Sequence, residues 1–349
     1  MRRTWTLVAL VVAVTVATAV AHFAGAPSLL TFVIATLALA GLAWIVSFST
    51  EQVGRRFGPA ITGFMQSTFG NLPEFFVVIF ALNAGQKIVA ETAILGSILV
   101  NALLVLGVVI IVGARRERDG VMRFSARLPN DTATLLLISS FIIVLIGLAV
   151  SSHDPASHHT KTISIIGAVA ILIVYGSWLL QYLRSDAVPR EREEGKQVPL
   201  ALSVGLLGIG GAASAFVSDW FVHALQPTIH TLNISQAFAG LVIVAIAGNA
   251  VENVAGIVLA AKGQYELAIS VVKNSVAQIA AFLYPALVLV SLLTATTLTF
   301  AIAPVYIGAL FGTAVIVWQV TGDGEATVFE GAALIATFVI LATVASFEA

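Results

Sequence analysis

The segment Gly70-Asn71-Leu72-Pro73-Glu74 recurs 178 residues later as Gly248-Asn249-Ala250-Val251-Glu252. The same offset, with no gap, brings Gly85-Gln86 onto Gly263-Gln264, and eight of the 32 positions from residue 70 to residue 101 are identical. Apolar identities are common by chance in so apolar a chain, whereas matched Asn, Glu and Gln side chains are not. The repeat therefore predicts a chain built from two related halves.

The composition around this repeat is that of a membrane protein. Of the 349 residues, 59% are hydrophobic and 10% are charged, and the mean hydropathy is +1.01. A soluble domain is about half apolar and about a quarter charged, so a soluble globular protein is excluded. The net charge of −1 provides no basic field, so we expect no nucleic-acid partner.

Apolar stretches separated by charged or turn residues predict an all-α multi-pass membrane protein with eleven transmembrane helices. We expect no regular sheet, because open strands leave backbone groups unsatisfied in lipid. The small residues Ala24-Gly25-Ala26 would also suit cleavage of a signal peptide, but we favour a retained first helix because the rest of the chain spans the membrane. The predicted spans are 4–22, 28–48, 60–83, 89–113, 131–150, 162–183, 199–222, 235–260, 265–292, 296–319 and 326–347.

The offset carries spans two to six onto spans seven to eleven, which gives five helices in each half. Because five is odd, the two halves must cross the membrane in opposite directions. Inverted repeats typically hold their substrate near the membrane midplane, where the halves meet. The predicted organisation is a leading helix (1–24), a first five-helix repeat (25–183), a cytoplasmic linker (184–198) and a second five-helix repeat (199–349).

The basic residues predict the orientation of the chain. With a cytoplasmic N-terminus, 14 of the 17 Lys and Arg residues fall on the inside, as the positive-inside rule requires. The odd number of spans then places the C-terminus outside. The cell (plasma) membrane is the expected location.

The two repeated glutamates are the acidic residues that lie well inside apolar spans. A charge there costs at least about 2.5–3.5 kcal/mol on insertion scales, so something must compensate it. Asn71 and Glu74, like Asn249 and Glu252, are three residues apart and project from one helical face. Each pair follows a glycine, and Pro73 removes a backbone donor, so we expect a break in the helix that exposes carbonyl oxygens.

The next span of each half adds further polar side chains. Ser97 and Asn101 are four residues apart, and Ser275 and Gln278 are three apart, so each pair shares a face. The combined set consists of oxygen ligands, with no thiol or imidazole, and two carboxylates balance one divalent ion. Such a set suits a hard cation, above all Ca²⁺.

The same oxygens would take protons when the cation leaves, so a cation and protons would compete for one site. An empty, ionised site would carry two buried charges while its access switched from one side of the membrane to the other. Because this is unfavourable, the site would exchange one ion for another and would not return empty. The alternative is that both glutamates are protonated and hydrogen-bonded within the helix packing.

These motifs resemble those of the cation/proton exchanger (CAX) family of the Ca²⁺/cation antiporter superfamily, across essentially the whole chain. The resemblance implies eleven helices, a leading helix plus two inverted five-helix repeats, and Ca²⁺/H⁺ antiport by alternating access. It also implies that Glu74 and Glu252 bind the cation and protons, with the Asn, Ser and Gln residues named above around them. The segments that carry the resemblance are Thr50-Glu51-Gln52, the two GNxxE motifs, Leu95-Gly96-Ser97-Ile98-Leu99 with Asn101, and Asn274-Ser275-Val276-Ala277-Gln278 with Pro285.

The sequence departs from the family pattern at several positions. Val100 stands where the family often has Ser, and Asn274 replaces a usual Gly. Lys273 places an ammonium inside a span, where it would either pair with a carboxylate or, as we favour, point from the back of the helix and snorkel to an interface. The acidic stretch between repeats is reduced to Arg190-Glu191-Arg192-Glu193-Glu194, which predicts a solvated linker.

Other polar residues lie near the membrane faces. Glu51 and Asp219 end the second and seventh spans and would relay ions or protons at the two mouths of the pathway, or else be ordinary interfacial charges. The outer loop His153-Asp154 with His158-His159 has metal-ligand chemistry, but a solvated loop is the favoured interpretation.

The sequence thus predicts a secondary transporter that exchanges Ca²⁺ for protons, with no cofactor besides the transported ions. Exchange of another cation, such as Na⁺ or Mn²⁺, is the main alternative, because cavity size decides between such ions. An ion channel would use the same two carboxylates for selectivity. A membrane enzyme is disfavoured by the absence of H-E-x-x-H and G-x-S-x-G motifs and of any Cys nucleophile.

Overall fold

The computed structural model of this chain describes residues 2–57, 65, 69–184 and 198–348. Most of these residues are helical. The helices of the first half are α1 (Arg2–Phe23), α2 (Ser28–Phe57), α3 (Leu72–Asn83), α4 (Lys87–Leu99), α5 (Leu106–Arg116), α6 (Arg127–Ser151) and α7 (Thr160–Arg184). Those of the second half are α8 (Leu200–Leu232), α9 (Gln236–Gly248), α10 (Ala250–Ala261), α11 (Tyr265–Gln278), α12 (Tyr284–Val290), α13 (Pro304–Thr321) and α14 (Val328–Ser346).

The helices confirm a multi-pass membrane protein. Within the described ranges, nine helical segments are long and apolar enough to cross a membrane, and the bent pair α9–α10 forms a tenth. The short apolar helix α3 ends the predicted third span. Residues 60–64 and 66–68 of that span, and residues 185–197 of the predicted linker, lie outside the described residues. This count is consistent with the eleven predicted spans.

Three helix boundaries differ clearly from the prediction. The second span was predicted to end at residue 48, but α2 continues to Phe57. The other two differences have a local reason. The tenth predicted span begins at residue 296, but α13 begins at Pro304, and the residues just before it are not helical. Proline favours the first turn of a helix because its missing N–H has no partner there anyway. The seventh span was predicted to end at residue 222, but α8 continues through Pro227 to Leu232, where Asn233 adopts a left-handed conformation.

The repeat is visible in local structure. Helices α3 and α10 both contain 12 residues and both begin directly after the motif asparagine. Each is followed by a glycine with positive φ, +73° at Gly85 and +77° at Gly263, which ends the helix in a left-handed turn. The repeated Gly-Gln pair is therefore a helix-ending turn.

A second repeated feature follows the helices after these turns. Val100–Val105 continues α4 as a π-helix, and Ile279–Leu283 continues α11 in the same way. These two segments correspond under the 178-residue offset. A third π-segment, Ala239–Val244, lies within α9. Because π-helices are rare and occur frequently at functional sites, the π-segments beside the predicted polar residues Asn101 and Gln278 indicate a functional region.

The chain divides into two compact units. Unit 1 contains Met1–Gln86 and Trp178–Ile234, and unit 2 contains Lys87–Ser177 and Ser235–Ala349. Within unit 1, α2 packs along α8, α3 packs against α8, and α1 packs mainly against α2. Each unit thus combines segments from both sequence repeats.

Within unit 2, glycines allow two close helix contacts. Gly96 of α4 lies against α9, where an added Cβ would come within 3 Å of the Leu241 backbone. Gly107 of α5 lies against Gly331 of α14, where an added Cβ would stand 2.6 Å from the Gly331 carbonyl oxygen. Further pairs pack α6 on α13 and α10 on α11.

A short antiparallel ribbon joins two loops of unit 2. Strand β1 (Val121–Arg123) pairs with β2 (Glu325–Thr327), with Met122 opposite Ala326. Exposed ion pairs link Arg123 to Asp119 at 2.8 Å and to Glu325 at 3.2 Å. The prediction of no regular sheet therefore holds for the described parts of the spans, and the ribbon lies in loops at their ends.

The outer faces of the helices are apolar, as lipid contact requires. On α1, Val12, Val16 and Val20 are spaced four residues apart and are each more than half exposed. In water, such a continuous apolar stripe would be unfavourable, whereas in a bilayer it faces hydrocarbon.

We expect Gly96→Ala to lower stability, because the new methyl group would overlap the Leu241 backbone and force α4 and α9 apart. Overpacking of this kind typically costs about 1–3 kcal/mol. Gly312→Ala in α13 is the matched control, because a Cβ there meets nothing within 4 Å. Thermal unfolding in detergent measures both changes. Equal melting temperatures for the two variants would contradict the close contact.

Candidate functional site

The second GNxxE motif lies at a break between two helices of unit 2. Helix α9 ends at Gly248, Asn249 turns the chain, and α10 leaves at an angle of 61°. Glu252 is the third residue of α10 and is half-buried. The predicted break is therefore present, and it places Glu252 in the first turn of a helix. Free backbone N–H groups and the helix dipole favour a negative charge there.

The amide of Asn249 is held by three buried hydrogen bonds, one each to α4, to the π-segment that follows α4, and to α9. Its Nδ2 donates to Ser97 Oγ at 2.9 Å and to the Ala245 carbonyl oxygen at 2.9 Å. Its Oδ1 accepts a 2.9 Å hydrogen bond from Nδ2 of Asn101. Asn101 Nδ2 also donates to the Ser97 carbonyl oxygen. The structure thus brings three of the predicted site residues, Asn249, Ser97 and Asn101, into one network.

The first GNxxE motif has the same local geometry in unit 1. Asn71 precedes α3 with φ −98° and ψ 20°, and Asn249 precedes α10 with φ −100° and ψ 14°. Glu74 is the third residue of α3, as Glu252 is of α10, and it is 5% exposed. Both motifs therefore present a carboxylate in the first turn of an apolar helix.

Helix α8 supports the start of α3. Ser218 Oγ donates to the Pro73 carbonyl oxygen at 3.3 Å. Pro73 is the second residue of α3, where its missing N–H removes one donor that would otherwise need a partner.

Buried polar side-chain atoms without a hydrogen-bond partner occur in both units. In unit 1 they include Asn71 Nδ2 and the hydroxyls of Ser49 and Thr50. In unit 2 they include the Oδ1 atoms of Asn101, Asn253 and Asn274 and the hydroxyl of Ser275. Buried polar atoms in proteins are almost always paired, so unpaired ones point to an ion or water. All but one of these atoms are oxygens, which is the donor set of a hard cation.

Ser49, Asn253 and Asn274 were not assigned to the site from the sequence. Asn274 was noted only as a departure from the family glycine. The offset of 178 pairs these three positions with Pro227, Phe75 and Gly96, so the repeat gave no reason to select them.

Lys273 lies on the opposite side of α11 from Ser275, because two residues turn a helix by about 200°. Its side chain is 1% exposed, and Nζ donates to Thr321 Oγ1 at 3.4 Å. Thr321 is the last residue of α13, where the helix end carries a partial negative charge. No described carboxylate lies within ion-pair distance of this ammonium. Lys273 therefore points from the back of the helix, as in the favoured interpretation, but its ammonium stays buried.

The remaining candidates lie nearer the helix ends. Gln278 is half-buried at the start of the second π-segment. Glu51 is half-buried near the end of α2, and Asp219 of α8 lies 3.4 Å from the His223 ring. The loop at His153 contains no metal-ligating cluster, since no group of three or more His, Asp or Glu among the described residues could hold a metal. There, Asp154 caps a short helical turn by accepting from Ala156 N.

Ser97 and Ser275 are repeat partners with different environments, which makes their alanine variants a matched pair. Ser97→Ala removes an acceptor from the Asn249 amide, and we expect a loss of about 0.5–1.5 kcal/mol. Ser275→Ala removes a hydroxyl that has no partner, so we expect little change in stability. Thermal unfolding of the purified protein in detergent distinguishes the two. An equal loss for both would contradict the network.

Comparison with known proteins identifies the family. Residues 27–183 and 202–347 match the family model described as sodium/calcium exchanger protein. The chain is 32% identical over 323 residues to the "Vacuolar calcium ion transporter" of Schizosaccharomyces pombe, a match that covers 89% of this chain and 77% of the relative. It is 27% identical over 333 residues to a "Ca(2+)/H(+) antiporter" of Aphanothece halophytica, with 89% and 88% of the two chains covered.

The fold also matches solved structures. The structure of native YfkE superposes with a TM-score of 0.82 at 25% identity, covering 98% of this chain and all of the other. The crystal structure of the H⁺/Ca²⁺ exchanger CAX gives a TM-score of 0.78 at 15% identity, with 99% and 91% covered, which supports the fold alone. With family model, relatives and fold in agreement, the chain belongs to the sodium/calcium exchanger protein family and is a secondary transporter of its cation/proton exchanger (CAX) branch, not an enzyme.

Proposed function

We propose that this protein exchanges Ca²⁺ for protons by alternating access, at a midplane site to which Glu74 and Glu252 each contribute a carboxylate. The observation that carries the proposal is the repeated motif. Two glutamates, one in each half, occupy the same position in the first turn of two apolar helices that begin after an asparagine with the same backbone conformation.

The chemistry of the residues favours a divalent hard cation. Two carboxylates neutralise one Ca²⁺, and Ca²⁺ accepts many oxygens in flexible geometry. The side-chain oxygens of Asn71, Asn249, Asn101, Ser97, Ser275 and Gln278 supply further ligands in the proposal. The unpaired oxygens of Asn101 and Ser275 support this role.

Proton coupling follows from the same two carboxyls. With Ca²⁺ bound, or with both carboxyls protonated, the site is close to neutral. When it is empty and ionised, it carries two negative charges, which are expensive to hold away from water. The site therefore switches its access between the two sides of the membrane only with Ca²⁺ or protons bound, and this requirement couples the Ca²⁺ flux to the proton flux.

The names of the relatives agree with this activity, because one is a calcium ion transporter and another a Ca(2+)/H(+) antiporter. We further propose that the N-terminus is cytoplasmic and the C-terminus outside, since 14 of 17 basic residues then fall inside. The cell membrane is the proposed location. Glu51 and Asp219 are proposed to relay ions or protons at the mouths of the pathway.

Neutralising either glutamate should abolish exchange. We expect Glu74→Gln and Glu252→Gln to reduce Ca²⁺-driven proton movement in proteoliposomes to the level of protein-free vesicles, because each variant loses half of the charge that binds the divalent ion. Melting temperatures should stay close to that of the unchanged protein, since Gln fits the same space.

Glu325→Gln is the control for removal of a carboxylate, because Glu325 lies in the exposed ribbon. This variant should exchange normally. Normal transport by both motif variants would refute the two-carboxylate site and would favour protonated glutamates with a purely structural role.

The ion dependence tests the choice of cation. We expect an inward or outward Ca²⁺ gradient to drive opposite proton movement, with Mg²⁺ ineffective because it dehydrates reluctantly. Parallel measurements with Mn²⁺ and Na⁺ test the alternative cargoes. If either ion drives more proton movement than Ca²⁺ does, that ion and not Ca²⁺ is the substrate. Cation currents without any counter-ion gradient would indicate a channel.

A further inference from the structure

Two histidines meet at one end of unit 1. His22 lies in the last turn of α1, and His223 lies in the C-terminal half of α8. Their ring centroids are 6.1 Å apart, with the ring planes at 71°. The ring of His22 also stacks on Trp220, with centroids 5.6 Å apart and an interplanar angle of 22°. The indole therefore fixes the plane in which the His22 ring lies.

The ring of His223 is oriented by its own helix. Its Nδ1 lies 2.9 Å from the backbone carbonyl oxygen of Asp219 and 3.4 Å from the Asp219 carboxylate. A carbonyl oxygen only accepts, so Nδ1 carries the proton in the neutral ring. The lone pair is then on Nε2, which is left for another partner. Histidines that bind metals typically donate their other ring N–H to a carbonyl or carboxylate in this way.

The spacing of the two rings is close to that of two imidazoles on one metal ion. With metal–nitrogen bonds of about 2.0–2.1 Å, two imidazoles on one ion have their centroids about 4.5–5.2 Å apart at N–metal–N angles of about 90–109°. The observed separation is 6.1 Å, so a small rotation of the exposed His223 side chain brings both rings to one ion. The side chain of His223 is 63% exposed, so an ion from solution can reach it.

We propose that His22 and His223 together bind a borderline transition-metal ion such as Zn²⁺ or Ni²⁺, at a surface site separate from the transport site. Imidazole nitrogens select these ions and discriminate against Ca²⁺ and Mg²⁺, which prefer oxygen. No third His, Asp or Glu of the described residues completes the cluster, so water fills the remaining positions. Asp219 is a positioning residue here, because it acts on the metal only through His223.

A bound ion would connect a helix outside the sequence repeat to a helix inside it. Helix α1 is the leading helix, which precedes the repeat, whereas α8 opens the second half and packs along α2. The metal would link the end of α1 to the C-terminal half of α8, in addition to the contact between the rings of Phe23 and Trp220.

Titration of the full-length protein in detergent with NiCl₂ tests the proposal, with tryptophan fluorescence as the readout. Ni²⁺ bound to His22 lies beside the stacked Trp220 ring and should quench its emission in a saturable way. The chain has five tryptophans, so Trp220→Phe identifies the part of the signal that comes from the site. CaCl₂ at the same concentrations should leave the emission unchanged.

His22→Gln and His223→Gln should each weaken Ni²⁺ binding by at least about tenfold, because even groups outside the ligand shell alter metal affinity by about 10–100-fold. His230→Gln is the matched control, since it removes an exposed histidine from the same helix. The melting temperature without metal shows whether each variant is folded. With Ni²⁺, the melting temperature should rise in the unchanged protein and in Trp220→Phe, but not in the two histidine variants.

Quenching that does not saturate, or that persists unchanged in His22→Gln and His223→Gln, would overturn the proposal and indicate an adventitious ion only. Equal loss of binding in His230→Gln would do the same. Binding by only one of the two histidines, seen as no effect of the other variant, would refute the shared site.

Discussion

A carboxylate inside an apolar helix is the constraint on which the rest of this structure depends. Both motif glutamates occupy the third position of a helix that begins immediately after an asparagine. The first N–H groups of a helix have no partner within it, and the aligned peptide dipoles place partial positive charge there. The helix break therefore supplies a favourable place for a negative charge, and a continuous helix would offer no such place.

The two halves keep this arrangement but surround it differently. Ser97 is committed to the amide of Asn249, whereas its partner Ser275 has an unpaired hydroxyl. Gly96 lets α4 approach the backbone of α9, whereas its partner Asn274 has a side-chain oxygen without a hydrogen-bond partner. The halves thus share the helix starts, the helix-ending turns and the π-segments Val100–Val105 and Ile279–Leu283, whereas the neighbouring polar residues are specific to each half.

Much of this architecture could be predicted from the sequence, because the decisive features are local. Long apolar runs give the spans, and matched Asn, Glu and Gln residues give the repeat and the helix breaks. The start of α13 at Pro304 and the extension of α8 to Leu232 were missed, since hydropathy does not mark where a helix ends within an apolar stretch.

Other features depend on contacts between distant segments, which one sequence does not display. The hydrogen bond from Asn101 to Asn249 joins residues 148 positions apart, and Lys273 is buried by elements that hydropathy alone does not bring together. The π-segments also have no distinctive composition, because Val100–Val105 is as apolar as the α-helices beside it.

The π-segment Val100–Val105 contributes one residue more than a regular α-helix would need between α4 and α5. A π-turn contains an additional residue compared with an α-turn, and one residue corresponds to about 100° of helical rotation. Removing a single residue from Val100–Val105 would allow an uninterrupted α-helix, which is the better local geometry. The same deletion would swing Gly107 away from Gly331 and turn a bulkier side chain toward α14. Deleting one residue here would thus favour regular α-helical hydrogen bonding but would disrupt the close packing of α5 on α14. The length of this segment is therefore set by tertiary packing and not by helix propensity.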